Sequence, residues 1–426
     1  MSKSTKYVFA HFMVGNTYPY SVQDWLGDIV LASQNNLDGF VLNVGREPWQ
    51  KDRSADCFHA LSQTTLSFKL FFSFDMSSIP GQSAEDVHVL CEYMKSFGNN
   101  PGMFRYQGGV AVSTFTGEHL RFGQHTLDKA WGYVKRALEE IVPRVHFIPS
   151  FFIDPATYPT IMCLDGTFNW NGSWPIHLTS KSPRREIECP ELKSDQHHLR
   201  HLGGRTFMAA VSPWFFTHYG PDTWNKNWIY RGDDWLFVRR WEQLISMREQ
   251  IDIVQVISWN DYGESHYIGP IKGAQPNSQA WVDGFPHTAW LTLNAYYSRA
   301  FKEGRYPPIE RDQIFLWARP HPKDAMASDD GVGRPTHWQV TDDTLWVVVF
   351  SMAPAKVKLY AGDDHKKSFH VKAGVTKLCR SLKGNRGVKV TMEREDAVIA
   401  YCAPHEFLFR TRPKVYNFNA FTDASC

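Results

Sequence analysis

Short apolar runs alternate with stretches of helical periodicity along roughly the first 300 residues of this 426-residue chain, and that alternation limits its fold more than any other feature. Runs at residues 7–14, 38–44, 69–75, 110–115, 145–154, 167–174 and 207–214 read as strands, and an eighth opens at Val254. Between them, Val22, Trp25, Leu26, Ile29 and Val30 recur at helical spacing. So do Val87, Leu90, Cys91 and Met94, then Leu127, Trp131, Val134 and Leu138, then Val238, Trp241 and Ile245. Ser21-Val-Gln-Asp24 and Ser83-Ala-Glu-Asp86 open two of these helices as capping boxes. Further helices are predicted at 54–63 and 288–301. The pattern predicts a (β/α)8 TIM-type barrel over residues 1–308. A doubly wound sheet is the other arrangement of such units, and no glycine-rich first turn supports it. After Gly304-Arg-Tyr-Pro-Pro308 the helical periodicity stops. Runs at 345–350, 357–360, 368–371, 388–392, 398–401 and 407–409, separated by turn residues, predict an antiparallel β-sandwich over residues 309–426.

Composition narrows the partners. A formal net charge of +2 leaves no general attraction to nucleic acid or to an anionic membrane. Sixteen tryptophans and an aromatic content of 15% call for an explanation, which aromatic platforms in a sugar-binding cleft and wide aromatic packing in a large core both supply. The seven cysteines are scattered without a C-x-x-C pair, so neither a zinc site nor a redox motif is indicated, and no cofactor or metal is expected. Residues 1–6 run straight into the first strand without the apolar and cleavage regions of a secretion signal, and no run is long enough to span a bilayer. These features predict a soluble, cytoplasmic, monomeric protein with free thiols, or a secreted one if its N-terminus has been trimmed.

In a barrel the chemistry gathers at the C-terminal ends of the strands. The residues falling there are His11, Asn43, Asp75, Asp154, Trp170, Trp174, Trp214, Tyr219, Trp259, Asn260, Asp261, Tyr262 and Glu264. The set is carboxylates, amides and aromatic rings with few cations, which suits a neutral polyol and not a phosphorylated substrate. The stretch Val254-Gln-Val-Ile-Ser-Trp-Asn-Asp-Tyr-Gly-Glu-Ser265 concentrates it. Asp261 and Glu264 end a buried run together, with Gly263 between them to permit a bend. Glycoside hydrolysis needs one carboxylic acid to protonate the leaving oxygen and a second carboxylate as nucleophile or as base for water. Asp261, Glu264 and Asp75 are the candidates, and Trp170, Trp174, Trp214 and Tyr219 are expected to line the cleft.

Other motifs point elsewhere and carry less. His197 and His201 lie four apart without the glutamate of a zinc hydrolase. Asp329-Asp-Gly-Val-Gly333 is half a calcium loop and reads as a turn. Asn171-Gly-Ser173 is a glycosylation sequon at the expected cleft.

Phe9-Ala-His-Phe-Met-Val-Gly-Asn16, Asp38-Gly-Phe-Val-Leu-Asn43, Phe72-Ser-Phe-Asp75, Ser258-Trp-Asn-Asp-Tyr-Gly-Glu-Ser265 and Trp317-Ala-Arg-Pro-His-Pro322 occur in one order, and together they resemble the fungal α-1,3-glucanases, or mutanases, of glycoside hydrolase family 71. The resemblance implies a barrel with a C-terminal β-sandwich, endo-hydrolysis of cell-wall α-1,3-glucan with inversion, and essential carboxylates at Asp75, Asp261 and Glu264. It also resembles a signal-less branch that opens the ascus wall from inside, so a cytoplasmic protein acting on the wall after release is implied. Within this scheme Glu264 is expected to be the general acid, Asp261 the base for water and Asp75 a supporting carboxylate. The rival from another class is a glucan-binding wall protein on the same barrel without activity, and the intact carboxyl set disfavours it.

Overall fold

The computed structural model describes residues 5–362 and 366–425. The chain divides into two compact units, one comprising Met1–Ser173, Leu192–Val211 and Gln243–Trp259, the other Trp174–Glu191, Ser212–Glu242 and Asn260–Cys426.

The first unit is built on parallel strands. They are β1 (Tyr7–Met13), β2 (Gly39–Val44), β3 (Lys69–Asp75), β4 (Gly109–Phe115), β5 (Val145–Phe147), β6 (Gly166–Asn169), β7 (Thr206–Val211) and β8 (Ile253–Val256). Their order in the sheet is β5-β4-β3-β2-β1-β8-β7-β6, so the first strand pairs with both the second and the last. That order makes a curled sheet within a mixed α/β fold. The interiors of β1, β2 and β3 are wholly buried, which is why they read as unbroken apolar runs. Helices Val22–Gln34, Trp49–Ser62, Val87–Phe97 and Leu127–Glu139 follow β1 to β4. The expected capping boxes form at both Ser21 and Ser83. Phe12 stacks on Trp25 with ring centres 4.6 Å apart, tying β1 to the helix after it. The Asp38-Gly39 pair has a packing cause. Asp38 Oδ2 accepts Val8 N–H at 2.8 Å, and a Cβ at Gly39 would stand 1.9 Å from Lys69 O, so only glycine lets β2 approach β3 there.

Three expected strands are shorter than the sequence suggests, and the run 145–154 keeps strand geometry only over Val145–Phe147. The run 167–174 becomes β6 and then a 3-10 turn, Trp170–Ser173, while the run 207–214 leaves strand geometry after Val211.

The second unit holds helix Thr288–Glu303, a short hairpin of Phe216–His218 with Asn227–Ile229, and two four-stranded antiparallel sheets. One sheet pairs Gly374–Ser381, Thr344–Ser351, Gln313–Ala318 and Phe421–Ala424 in that order. The other pairs Lys367–Val371, Ala355–Ala361, Val388–Arg394 and Ala397–Cys402. Ile314, Leu316, Val347 and Val349 of one sheet share a single apolar core with Val357, Leu359, Val390 and Met392 of the other. Strands at 313–318, 374–381 and 421–424 add to those expected, whereas Phe407 and Phe409 fill this core from an irregular segment and form no strand.

The last stretch before the final strand is hydrogen-bonded along its length. Phe418 O accepts Trp214 Nε1–H at 2.9 Å, Asn419 Nδ2 donates to Trp281 O at 2.9 Å and to Tyr267 Oη at 3.2 Å, and Ala420 O stands 2.8 Å from His287 Nε2. Among the described residues no helix is long and apolar enough to cross a membrane. Cys57, Cys91, Cys163, Cys189 and Cys379 stand as thiols, Cys402 Sγ donates to Asp423 Oδ2 at 3.2 Å, and Cys426 lies outside the described residues.

Candidate active site

The Asp-x-x-Glu stretch forms a tight turn. Asp261 precedes a 3-10 turn, Tyr262–Glu264, closed by Tyr262 N–H to Asn260 O at 3.0 Å and Ser265 N–H to Tyr262 O at 3.0 Å. Tyr262 pins the turn from beneath, its hydroxyl donating to Pro270 O and accepting from Lys272 N–H, both at 3.0 Å. Gly263 serves close approach and not a bend. A Cβ there would sit 2.0 Å from Tyr219 Oη, and the backbone is not left-handed. The left-handed residue is Ser265, at φ 60°, and it reverses the chain so that His266 faces back toward the two carboxylates.

Asp261 and Glu264 are each about four-fifths buried, with side-chain exposures of 18% and 21%. His266, at 0% exposure, donates from Nε2 to Glu264 Oε2 at 3.1 Å and lies 3.7 Å from Asp261 Oδ2. Lys226 Nζ stands 3.4 Å from the other Glu264 oxygen. Burial pushes the Asp261 carboxyl up, the adjacent Glu264 charge adds to it, and the group reaches about 6 despite His266 and Lys226. Burial also pushes Glu264 up, but the His266 hydrogen bond, the His266 charge and Lys226 outweigh it and hold Glu264 below the usual range. One carboxyl is therefore poised to keep a proton and its neighbour to stay ionised.

Aromatic rings enclose the set. His266 lies 5.7 Å from Trp174 and 5.9 Å from Phe215, and Tyr230 packs on both of those rings. Tyr219 meets Trp281 and, edge to face at 4.6 Å, Trp224, which is 53% exposed beside the turn. Asp261, Glu264 and His266 bring carboxylate and imidazole atoms within 4.8 Å of one another. That spacing could hold a metal ion; as the side chains stand, His266 Nε2 and the Lys226 ammonium are both engaged with Glu264.

The other expected site residues divide. In the first unit, Asp75 ends β3, half-buried, and its Oδ1 accepts from Ser77 N–H and from the Ser77 hydroxyl. His11 receives Gln255 Nε2–H at Nδ1, 2.8 Å away, and packs edge to face on Trp170. Asn43 Nδ2 reaches Ser73 O at 3.4 Å. Trp259 is wholly buried against Phe40, with its backbone N–H on His11 O, so it packs the sheet and offers no face to a sugar. Asp154 is an exposed cap: it accepts Ala156 N–H at 3.0 Å and pairs with His197 at 2.9 Å. In the second unit, Asn260 and Tyr262 are buried within the turn itself. The expected platforms are corrected in the same way. Trp214 is fully buried with its N–H on Phe418 O, and Trp174 is buried with its N–H on Trp214 O. Trp170 and Tyr219 show only an edge.

Sequence reasoning missed His266, Lys226, Trp224 and Tyr230. His266 directly follows the organising stretch, and Trp224 sits in the turn Gly220-Pro-Asp-Thr-Trp-Asn225, where no core can claim it. The half calcium loop is absorbed too: Asp330 accepts from Val332, Gly333 and Tyr416 N–H and pairs with His218 at 3.0 Å.

The glycosyl hydrolase family 71 model matches residues 4–425. The chain belongs to glycosyl hydrolase family 71. It is 35% identical over 425 residues to a glucan endo-1,3-α-glucosidase of Schizosaccharomyces pombe, covering 99% of this chain and 95% of the relative. It is 32% identical to a mutanase of Penicillium rubens, over 87% of this chain and 78% of the relative. It is also 32% identical to the ascus wall endo-1,3-α-glucanase of Schizosaccharomyces pombe, over 87% and 84%. Among solved structures, a GH99 endo-α-mannosidase from Bacteroides thetaiotaomicron aligns with a TM-score of 0.52 at 14% identity, over 71% of this chain and 99% of that one. At that identity the likeness concerns the fold alone, and it places this family 71 chain among mixed α/β glycosidase folds.

Proposed function

We propose that the protein is an endo-acting glycoside hydrolase that cleaves α-1,3-glucosidic bonds of fungal cell-wall glucan, with Asp261 and Glu264 as its acid–base pair. The observation that carries the proposal is the pair itself: two carboxyls three residues apart on one rigid turn, one pushed up to about 6 and the other held low. The environment supports assigning the proton to Asp261 as general acid and the charge to Glu264 as base, the reverse of the order expected from sequence. Asp75 remains the third carboxylate, supporting substrate or water. His11, Asn43 and Trp170, linked to the strand ends, and the exposed ring of Trp224 are the proposed sugar contacts. The named relatives support the linkage and the wall as substrate.

The same proposal takes the curled sheet as a (β/α)8 barrel. Asp165 N–H donates to Phe147 O at 3.1 Å and Phe168 N–H to Pro149 O at 2.9 Å, which supports closure between β5 and β6. The two antiparallel sheets with one core support a β-sandwich. By type of secondary structure, the division falls near residue 308.

Inversion belongs to the proposal as well. Carboxyl oxygens of the pair lie within 4.8 Å of one another, whereas an inverting reaction uses about 6.5–9.5 Å to admit water and a retaining one about 5–5.5 Å, so inversion is carried by the family resemblance and the anomer of the first product decides it. The test is reducing-end release from insoluble α-1,3-glucan beside α-1,4- and β-1,3-glucans, with proton NMR of the first product. Release from α-1,3-glucan alone, with β-anomer first, is the expected result. Release from none of the three refutes the function, and α-anomer appearing first refutes inversion. Asp261→Asn and Glu264→Gln should each lower turnover by several orders of magnitude in folded protein.

A further inference from the structure

We propose that His266 is the positioning residue of the pair: its buried Nε2–H holds the Glu264 carboxylate in place beside Asp261. This rests on the acid–base reading of Asp261 and Glu264.

Residues two apart in a turn do not ordinarily face each other. Here left-handed Ser265 reverses the chain and brings the His266 ring onto the carboxylates that precede it. The ring cannot swing away, because Trp174 and Phe215 lie within 6 Å of it. A hydrogen bond to a charged acceptor away from water is among the strong ones. Lys226 contributes less. It is 45% exposed, its contact is the longer one at 3.4 Å, and solvent screens it.

The other titratable groups facing the pair do not duplicate this bond. Tyr219 follows the hairpin strand Phe216–His218 and presents its hydroxyl to Gly263, engaged with Pro276 O at 3.2 Å. Tyr230 follows Asn227–Ile229 and packs on the rings beside His266. His287, at the start of helix Thr288–Glu303, faces Tyr267 O and Ala420 O with its two nitrogens. Asp261 itself interacts with Glu264 repulsively. His266 is therefore the buried donor that breaks the symmetry between two nearby carboxyls.

The test uses two variants of the full chain. His266→Phe keeps a ring in the aromatic cage and removes the N–H, while His266→Gln keeps an N–H donor without a titrating ring. For His266→Phe the acid limb of kcat/KM against pH should move up by about one unit, a tenfold loss on that limb, with KM and melting temperature close to the parent protein. His266→Gln should restore most of the shift. Carbon-13 NMR titration of the Asp261 and Glu264 carboxyls reads the same effect without substrate, so it separates failure of this inference from failure of the glucanase reading. Glu264 titrating at its parent position in His266→Phe overturns the inference, and so does a folded His266→Gln that behaves no better than His266→Phe. A uniform loss of activity with unmoved limbs does so too.

Discussion

Gly263→Ala tests the geometry of the turn at its tightest point. The new Cβ would meet Tyr219 Oη at 2.0 Å, Cζ at 3.0 Å and Cε2 at 3.2 Å. Contact needs about 3.5 Å, so the hydroxyl must retreat by more than an ångström. That movement breaks its bond to Pro276 O and presses the ring on Trp281, 4.9 Å away centre to centre. Overpacking of this kind costs about 1–3 kcal/mol, and the lost hydrogen bond adds about 1 kcal/mol. No backbone strain enters, because the residue is not left-handed. Tyr219→Phe removes the clashing atom and should cost about 1 kcal/mol alone. With it in place the nearest ring atoms need shift only a few tenths of an ångström, so the double variant should recover roughly 1–2 kcal/mol relative to additivity. Urea denaturation of the four proteins measures the cycle. Turnover should follow, since displacing the carboxylates by an ångström can cost about 100-fold. A Gly263→Ala protein of parental stability and activity would refute the close-approach account, and so would an equal penalty in both backgrounds.

Trp224→Ala should raise KM several-fold with little change in melting temperature, because its exposed ring can stack on sugar while contributing little to the core; an unchanged KM removes it from the binding surface. His146, His198 and His321 are each driven down to about 4 by burial, whereas the unfolded chain binds their protons near 6.5. Between those values the unfolded state holds more protons, so stability should be full above about pH 6.5 and fall as pH drops toward 4. Urea midpoints across that range measure the slope, and His321→Asn should flatten it. In native protein a thiol reagent should modify exposed Cys189 first, since burial raises Cys57 and Cys91 and takes Cys163 to about 12. Faster labelling of Cys57 than of Cys189 would contradict the burial.

The strand and helix alternation was legible because each parallel strand is covered on both faces and each helix on one, so their burial is written in different periods. That Asp261 and Glu264 share one turn after a buried run was legible because charge ending such a run is unusual, whereas their role remains the proposal. Ring direction was not. Position after an apolar run says that Trp214 lies at a strand end, but its packing depends on Phe418, distant in sequence, which takes its N–H. The surroundings of Glu264 were hidden for a similar reason. They include Lys226, from a polar loop, and a histidine turned back by one left-handed serine.

The hydrogen bonds of the stretch from Phe418 to Ala420 bear on how such an enzyme can be taken apart. Tyr267, three residues beyond Glu264, is held by Asn419, and Trp281, which backs Tyr219, is held by Asn417 and Asn419. The antiparallel sheets are thus no detachable cassette. A chain cut near residue 308 would lose the fastening of the residues that flank the Asp261–Glu264 turn, and an exchange of C-terminal halves between relatives would have to carry the turn's neighbours along with it. Family members would be expected to diversify by changing loops, and much less by trading whole domains.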